Sequence, residues 1–241
     1  MIHYHGGRHS SFQVALTVWK GRHALVSFAD PQQIAIAADV AQSFAMDNGA
    51  FSVWKQGIAV DWRAYYAWVD EWRFHPGFDW AVIPDVIEGD AAANDALLAE
   101  WPFGNFAGVP VWHFHEPLER LVRLAHEWPR VALGSSGRYS TPGTARWWGR
   151  MQQVMDVVCK GGRPTVKLHG LRMLNPQIVE YVPFASADSA TVSRKVNLAN
   201  WGGVYKAASR ESRARVLVEY YEAVQSAPLW NGVPAQAELF E

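Results

Sequence analysis

The sequence predicts one α/β domain, a (β/α)8 TIM-type barrel spanning residues 1–241. Three observations predict it. Short β-like runs recur along the chain, stretches with helical periodicity separate most of them, and nearly every β-like run ends in a polar or ionisable side chain. Strands alternating with helices imply βαβ units and a parallel sheet. About eight such units match a barrel of ordinary size, in which the C-terminal strand ends carry the chemistry.

The β-like runs are "IHYH" (2–5), "HALVSFA" (23–29), "FAMDNGA" (44–50), "FDWAVIPDV" (78–86), "VPVWHFHE" (109–116), "RVALGSS" (130–136), "PTVKLHG" (164–170) and "YVPFASADS" (181–189). "PQQIAIAADVAQ" follows the second run with helical spacing, "DWRAYYAWVDEW" the third, "DAAANDALLAEW" the fourth and "EPLERLVRLAHEW" the fifth. "TARWWGRMQQVMDVV" follows the sixth, and the short "NPQIVEY" the seventh. A long helix over about 203–227 closes the chain. The "GGR" at 161–163 reads as a helix C-cap before a strand. Segments 134–144 and 190–203 read as active-face loops. An open doubly wound sheet is the rival fold; no GxGxxG or GxxxxGK[ST] follows the early strands to support a nucleotide-binding version.

Composition bounds the function. The chain has 241 residues, 49% of them hydrophobic, and a formal net charge of -1. Nucleic-acid binding would therefore need a local basic patch rather than a global excess. One cysteine, Cys159, excludes an internal disulfide and a cysteine-rich zinc site, and fits a reducing compartment. No apolar run has the length of a signal peptide or membrane span, so a cytoplasmic protein is expected. Most of the thirteen tryptophans are expected to pack in the core, Trp62, Trp68 and Trp72 at helical spacing among them.

Read in order, the strand ends present His3 and His5, Asp30, Asp47, Asp85, His113 and His115, Ser135 and Ser136, His169 and Asp188. One or two such residues are ordinary turn chemistry; a whole ring of them points to a site. Asp47 and Asp188 could serve as nucleophile and general acid/base on a glycosidic bond. Asp85 could equally cap the following helix, although Asp90 or Asn94 would serve there. His113 and His115 alternate onto one face of a strand, as a metal pair or as hydrogen-bonding groups. The "GSSG" loop (134–137), with Gly134 and Ser135, offers backbone N–H groups to an oxyanion, a phosphate or a base edge; a plain flexible turn is the other reading. Arg194 and Lys195, with Lys206, Arg210, Arg213 and Arg215 and with Arg138, Arg146 and Arg163, could form a phosphate-contacting rim. Intrahelical pairing with Glu211 and Glu219 is the plainer reading of part of that set.

These motifs resemble the tRNA-guanine transglycosylase superfamily of (β/α)8 barrels. "MDNGAF" is similar to that family's S-D-S-G-G-F, whose aspartate is a general acid/base. "DSATVSR" resembles D-C-V-x-P-T-R, whose aspartate is the covalent nucleophile. "IPDV" sits where the family keeps an aspartate that reads the base, and "HFHEP" where it has Q-G-G, making His115 the stand-in for the glutamine. "ALGSSG" resembles G-G-L-A-V-G, and "KLHGLRML" the strand carrying L-M-G-V-G. The resemblance covers roughly residues 44 to 195. The family's C-x-C-x-x-C…H zinc subdomain has no counterpart after Asp188, which looks more like the zinc-free 7-deazaguanine DNA transglycosylases of phages and genomic islands.

The resemblance implies Asp188 and Asp47 as catalytic residues. It implies a base-binding set drawn from Asp85, His115, His113, Gly134, Ser135, Phe51 and His169, with Arg194 on flanking phosphates. It also implies DNA as substrate (RNA being the alternative), a 7-deazaguanine such as preQ0 as incoming base, and no cofactor or metal. A metal-dependent barrel hydrolase using His113, His115 and an aspartate, and a non-catalytic nucleic-acid-binding barrel, are the other readings.

Overall fold

The computed structural model describes residues 1–57, 61–198 and 207–234. Its strands are β1 (Ile2–Gly6), β2 (His23–Ser27), β3 (Ser43–Asp47), β4 (Phe78–Val82), β5 (Gly108–Val109), β6 (Val111–His113), β7 (Arg130–Gly134), β8 (Cys159–Lys160), β9 (Arg163–Pro164), β10 (Lys167–Leu171) and β11 (Ser186–Ser189). Nine of them form one sheet in the order β5-β4-β3-β2-β1-β11-β10-β7-β6, with every neighbouring pair parallel.

The two ends of that sheet are consecutive pieces of one extended run. Pro110, which has no N–H for a ladder, separates them. Before it, Val109 accepts from the Ile83 amide; after it, Phe114 donates to Gly134, while Pro110 itself accepts from Ala132. The run therefore touches β4 on one side and β7 on the other, and the sheet curls into a barrel-like cylinder flanked by helices.

The helices are α1 (Phe12–Trp19), α2 (Ile34–Val40), α3 (Ala50–Gln56), α4 (Trp62–Trp72), α5 (Ala91–Ala99), α6 (Gly104–Ala107), α7 (Leu118–Glu127), α8 (Ala145–Val158), α9 (Pro176–Val179), α10 (Thr191–Lys195) and α11 (Arg210–Glu222). Local chemistry starts many of them. Side chains of Ser11, Asp61, Asp90, Thr144, Asn175 and Ser209 accept backbone N–H groups at the first turns of α1, α4, α5, α8, α9 and α11, satisfying donors that have no partner within the helix.

Packing follows the period-two alternation of the strands. Tyr4, Leu25, Ala45, Trp80, Val82, Val109, Val111 and Ala132 form a buried cluster within the cylinder. The Tyr4 hydroxyl donates to Asp79 at 2.6 Å and accepts from the Trp80 indole at 3.1 Å. Residues of opposite parity, such as Phe44, Met46, Val131 and Leu133, pack outward against the helices in two larger clusters. Trp68 is buried in one of these.

The sequence reading needs four corrections here. Helix α1 lies where no helix was expected: its run "FQVALTVW" is mostly apolar and carries three β-branched residues, Val14, Thr17 and Val18, yet its buried residues are Val14, Ala15, Val18 and Trp19, one helical face. Gly161 and Gly162 are not a helix C-cap but the turn of the β8–β9 hairpin, both with positive φ (57° and 75°) as a two-residue turn of that hand requires. Residues 191–195 are helical rather than loop. The closing helix is described as Arg210–Glu222, shorter than 203–227, and residues 199–206, Lys206 included, lie outside the described residues.

Candidate active site

A cavity of about 580 Å³ opens at the C-terminal ends of the strands, a size typical of small-molecule sites. Gly6, Ser27, Asp47, His113, Gly134, Leu171 and Asp188 line it, each at or near the last position of its strand, and Asp85 joins them from just beyond β4. The register aligns Ser27 with Asp47 on adjacent strands. Side chains that alternate inward thus end in a polar ring above the apolar interior.

Asp188 is 4% exposed. Its Oδ1 accepts from the Arg172 backbone amide at 2.8 Å and from His169 Nε2 at 3.3 Å. The second ring nitrogen of His169 meets the Ser186 hydroxyl at 2.8 Å. Both described bonds fall on Oδ1, which leaves Oδ2 as the oxygen open to a bound molecule. Burial lowers the His169 pKa, and Asp188 raises it only in part, so the ring is a neutral Nε2–H donor.

Asp85 is held from two sides. Asn48 Nδ2 donates to Oδ1 at 2.7 Å, and His113 Nε2 lies 2.8 Å from Oδ2. Asn48 is itself fixed by donating to the Ile83 carbonyl at 2.9 Å and accepting from the Ala50 amide at 2.9 Å. A carboxylate oxygen has more than one lone-pair site, so Asp85 can still accept from a ligand. It does not cap α5; Asp90 does.

Asp47 differs from both. Burial pushes its pKa up to about 6, the Ser27 hydroxyl and the Arg172 charge hold it down, and the nearby Asp188 and Asp85 charges add to the rise. A carboxyl that exchanges its proton near neutrality suits general acid/base work.

The structure brings together Asp47, Asp85, His113, Gly134, Ser135, Phe51 and Asp188 around one cavity. The Ser135 hydroxyl is occupied by the Trp147 indole at 2.9 Å. Three predicted residues do not line it. His169 lies fully buried beneath Asp188. His115 is turned away: β6 stops at His113, the Glu116 amide closes a turn onto the His113 carbonyl, and the His115 nitrogens meet Ser136 Oγ and the Gly89 carbonyl at 2.7 and 2.8 Å. Arg194 sits on α10 outside the lining.

His3 and His5 also face away from the cavity. They meet the Val224 carbonyl and Glu222 at the C-terminal end of α11. Arg163, on the hairpin that precedes β10, is at the opposite end of the sheet, and Arg213 donates to the carbonyls of Ala207, Val196 and Ala208. Neither forms part of a rim at the cavity.

Sequence reasoning missed two residues here, Asn48 and Arg172. Arg172 follows β10, lines the cavity, and places its guanidinium carbon 3.1 Å from the Phe51 ring centroid. Its φ of 58° is the one positive value among non-glycine residues described.

Among the described residues, no group of three or more His, Cys, Asp and Glu side chains is placed to hold a metal ion, and no helix is long and apolar enough to cross a membrane. No family model, curated protein or solved structure matches the chain.

Proposed function

We propose that this protein is a base-exchange transglycosylase. On this reading the barrel is eight-stranded, the run through Pro110 counting as one strand, and it replaces guanine in DNA with a 7-deazaguanine of the preQ0 type. The observation that carries the proposal is the convergence of Asp47, Asp85 and Asp188, from separate strand ends, on one cavity of nucleoside size.

Each carboxylate has surroundings that suit a different role. Asp188 is steered through Oδ1, so Oδ2 attacks C1′ of the deoxyribose as the C1′–N9 bond breaks. Asp47, with its pKa near 6, gives the departing guanine a proton. The incoming 7-deazaguanine then attacks C1′ through N9, its proton passes to Asp47, and the bond from C1′ to Asp188 breaks. Two displacements retain the sugar configuration. Asp85, locked by Asn48 and His113, accepts from the N1–H and N2–H groups of the base. Phe51 offers a stacking face at the cavity wall. The target base must leave its stack to arrive there. The reaction uses no redox cofactor, and a cytoplasmic location fits it.

The test is to trap the intermediate. Protein is incubated with guanine-containing DNA or with tRNA, each with and without preQ0, then run on a denaturing gel with mass analysis of both partners. A covalent DNA adduct absent in Asp188→Ala, with a mass change in DNA when preQ0 is supplied, is the expected result. An adduct with tRNA alone would keep the mechanism and move the substrate to RNA. No adduct and no exchange with either polymer would overturn the proposal.

A further inference from the structure

Among the described residues, Arg172 is the one lysine or arginine that lines the cavity, where Asp47, Asp85, Glu88 and Asp188 supply four acidic groups. A nucleic acid brings one negative charge per nucleotide, so such a mouth repels the substrate of the proposed reaction unless a cation meets it. The guanidinium has five N–H donors, and none donates to another described residue. It rests on the Phe51 face instead.

The backbone gives an independent pointer. Arg172 holds φ at 58°, a region glycine enters freely and a long side chain enters only under strain. The amide that steadies Asp188 would be supplied as well by glycine. Retaining arginine at a position that suits glycine points to a task for the side chain itself.

Building on the transglycosylase reading, we infer that Arg172 is the phosphate anchor of the target nucleotide. The guanidinium lies on the ring face of Phe51 by cation–π attraction. When the extruded base stacks on that ring, the guanidinium is displaced and forms a charge-assisted pair with the phosphodiester next to the target. Base entry and phosphate capture are thereby one event. A free base, which has no phosphate, gains nothing from the anchor.

The experiment compares wild type, Arg172→Gly and Arg172→Lys in binding a short single-stranded DNA with one guanine, across a salt series. A second DNA carries a neutral methylphosphonate beside that guanine, an RNA of the same sequence forms a parallel arm, and preQ0 alone is the free-base probe. Arg172→Gly should lose about tenfold or more in affinity for the oligonucleotide, and its log–log salt slope should fall by about one. The methylphosphonate should weaken wild type and leave Arg172→Gly unchanged. Affinity for preQ0 should stay within about twofold, Arg172→Lys should recover part of the loss, and Arg172→Gly should melt at or above wild type. Should glycine unfold the protein, Arg172→Lys against Arg172→Gln reads the same difference.

Oligonucleotide affinity and salt slope unchanged in Arg172→Gly would overturn the anchor. So would a methylphosphonate penalty shared equally by wild type and variant, or a wild type that binds neither polymer. Phosphate-dependent binding by a wild type that exchanges no base would keep the anchor and sink the transglycosylase. Exchange with normal polymer affinity in Arg172→Gly would do the reverse.

Discussion

His169 Nε2 lies 3.3 Å from Asp188 Oδ1, and the far nitrogen of the same ring is fixed by Ser186 at 2.8 Å. The imidazole therefore acts as a strut between two positions of one strand, aiming a carboxylate it also steadies. Its burial keeps it neutral, so it directs Asp188 without cancelling the charge a nucleophile needs.

That arrangement predicts a split between chemistry and binding. Asp188→Asn should form no adduct. His169→Phe removes the Nε2–H donor and should slow adduct formation by about 10–100-fold, the worth of one hydrogen bond to a charged group, roughly 1.5–3 kcal/mol. KM for DNA should hardly change, because His169 lies below the cavity floor. Single-turnover rates with saturating DNA, set beside equilibrium binding, check this; an equal loss in binding would make His169 a residue of general structural importance only.

Asp47 predicts a pH profile. The first displacement needs its proton, so adduct formation should fall about tenfold per pH unit above a midpoint near 6. The stability consequence has a definite sign. A carboxyl whose folded pKa lies above its unfolded value costs stability as pH rises through the interval between them, here from about 4 to about 6. Asp47→Asn should remove that cost, stabilising the protein by about 1–2 kcal/mol at pH 8, with allowance for partial solvent access, and by nothing at pH 3. Denaturant midpoints at both pH values, with adduct yield, measure the two effects together.

Much of the site follows from strand parity, and the exceptions have local causes. Asp47, Asp85, His113 and Asp188 could be read from the sequence because each ends an alternating run whose inward positions are legible. The same alternation misplaced His115, since the strand stops two residues earlier and the chain turns. His169 is on the inward face as parity requires, but one layer too deep to touch a ligand. Arg172 left no signal, because a positive φ on a non-glycine residue is decided by the surrounding structure. Helix α1 was hidden by its β-branched residues, Val14, Thr17 and Val18; the Ser11 cap and the burial of one face in a cluster shared with the sheet and α11 make them helical.

Histidine burial sets acid sensitivity. His9 is 7% exposed, packs edge-on against Trp19 at 4.5 Å between ring centroids, and has no described partner for either ring nitrogen. Burial first, and the neighbouring His5 second, lower its pKa to about 4. The unfolded chain binds that proton near pH 6.5, so stability holds above 6.5 and falls as pH drops toward 4. The full effect is roughly 3 kcal/mol. His9→Phe should flatten the slope of stability against pH over that window; a slope equal to wild type would assign the acid sensitivity to other groups, such as His169.

Gly134 couples the sheet to base recognition. A Cβ at this position would come 2.9 Å from His113 Nδ1 and 3.3 Å from Val111 Cγ1. The ring cannot retreat freely, because its Nε2 is bound to Asp85. Gly134→Ala should therefore move His113 and Asp85 together, costing about 1–3 kcal/mol of stability as overpacking does. It should raise KM for the incoming base while leaving adduct formation at Asp188 largely intact. Asp85→Asn should raise that KM further, by about 100-fold or less, since a buried acceptor is replaced by a donor. Exchange kinetics over a preQ0 concentration series, with the adduct measured in parallel, test both. Loss of adduct with no change in KM would place Asp85 in the chemistry instead of in base recognition.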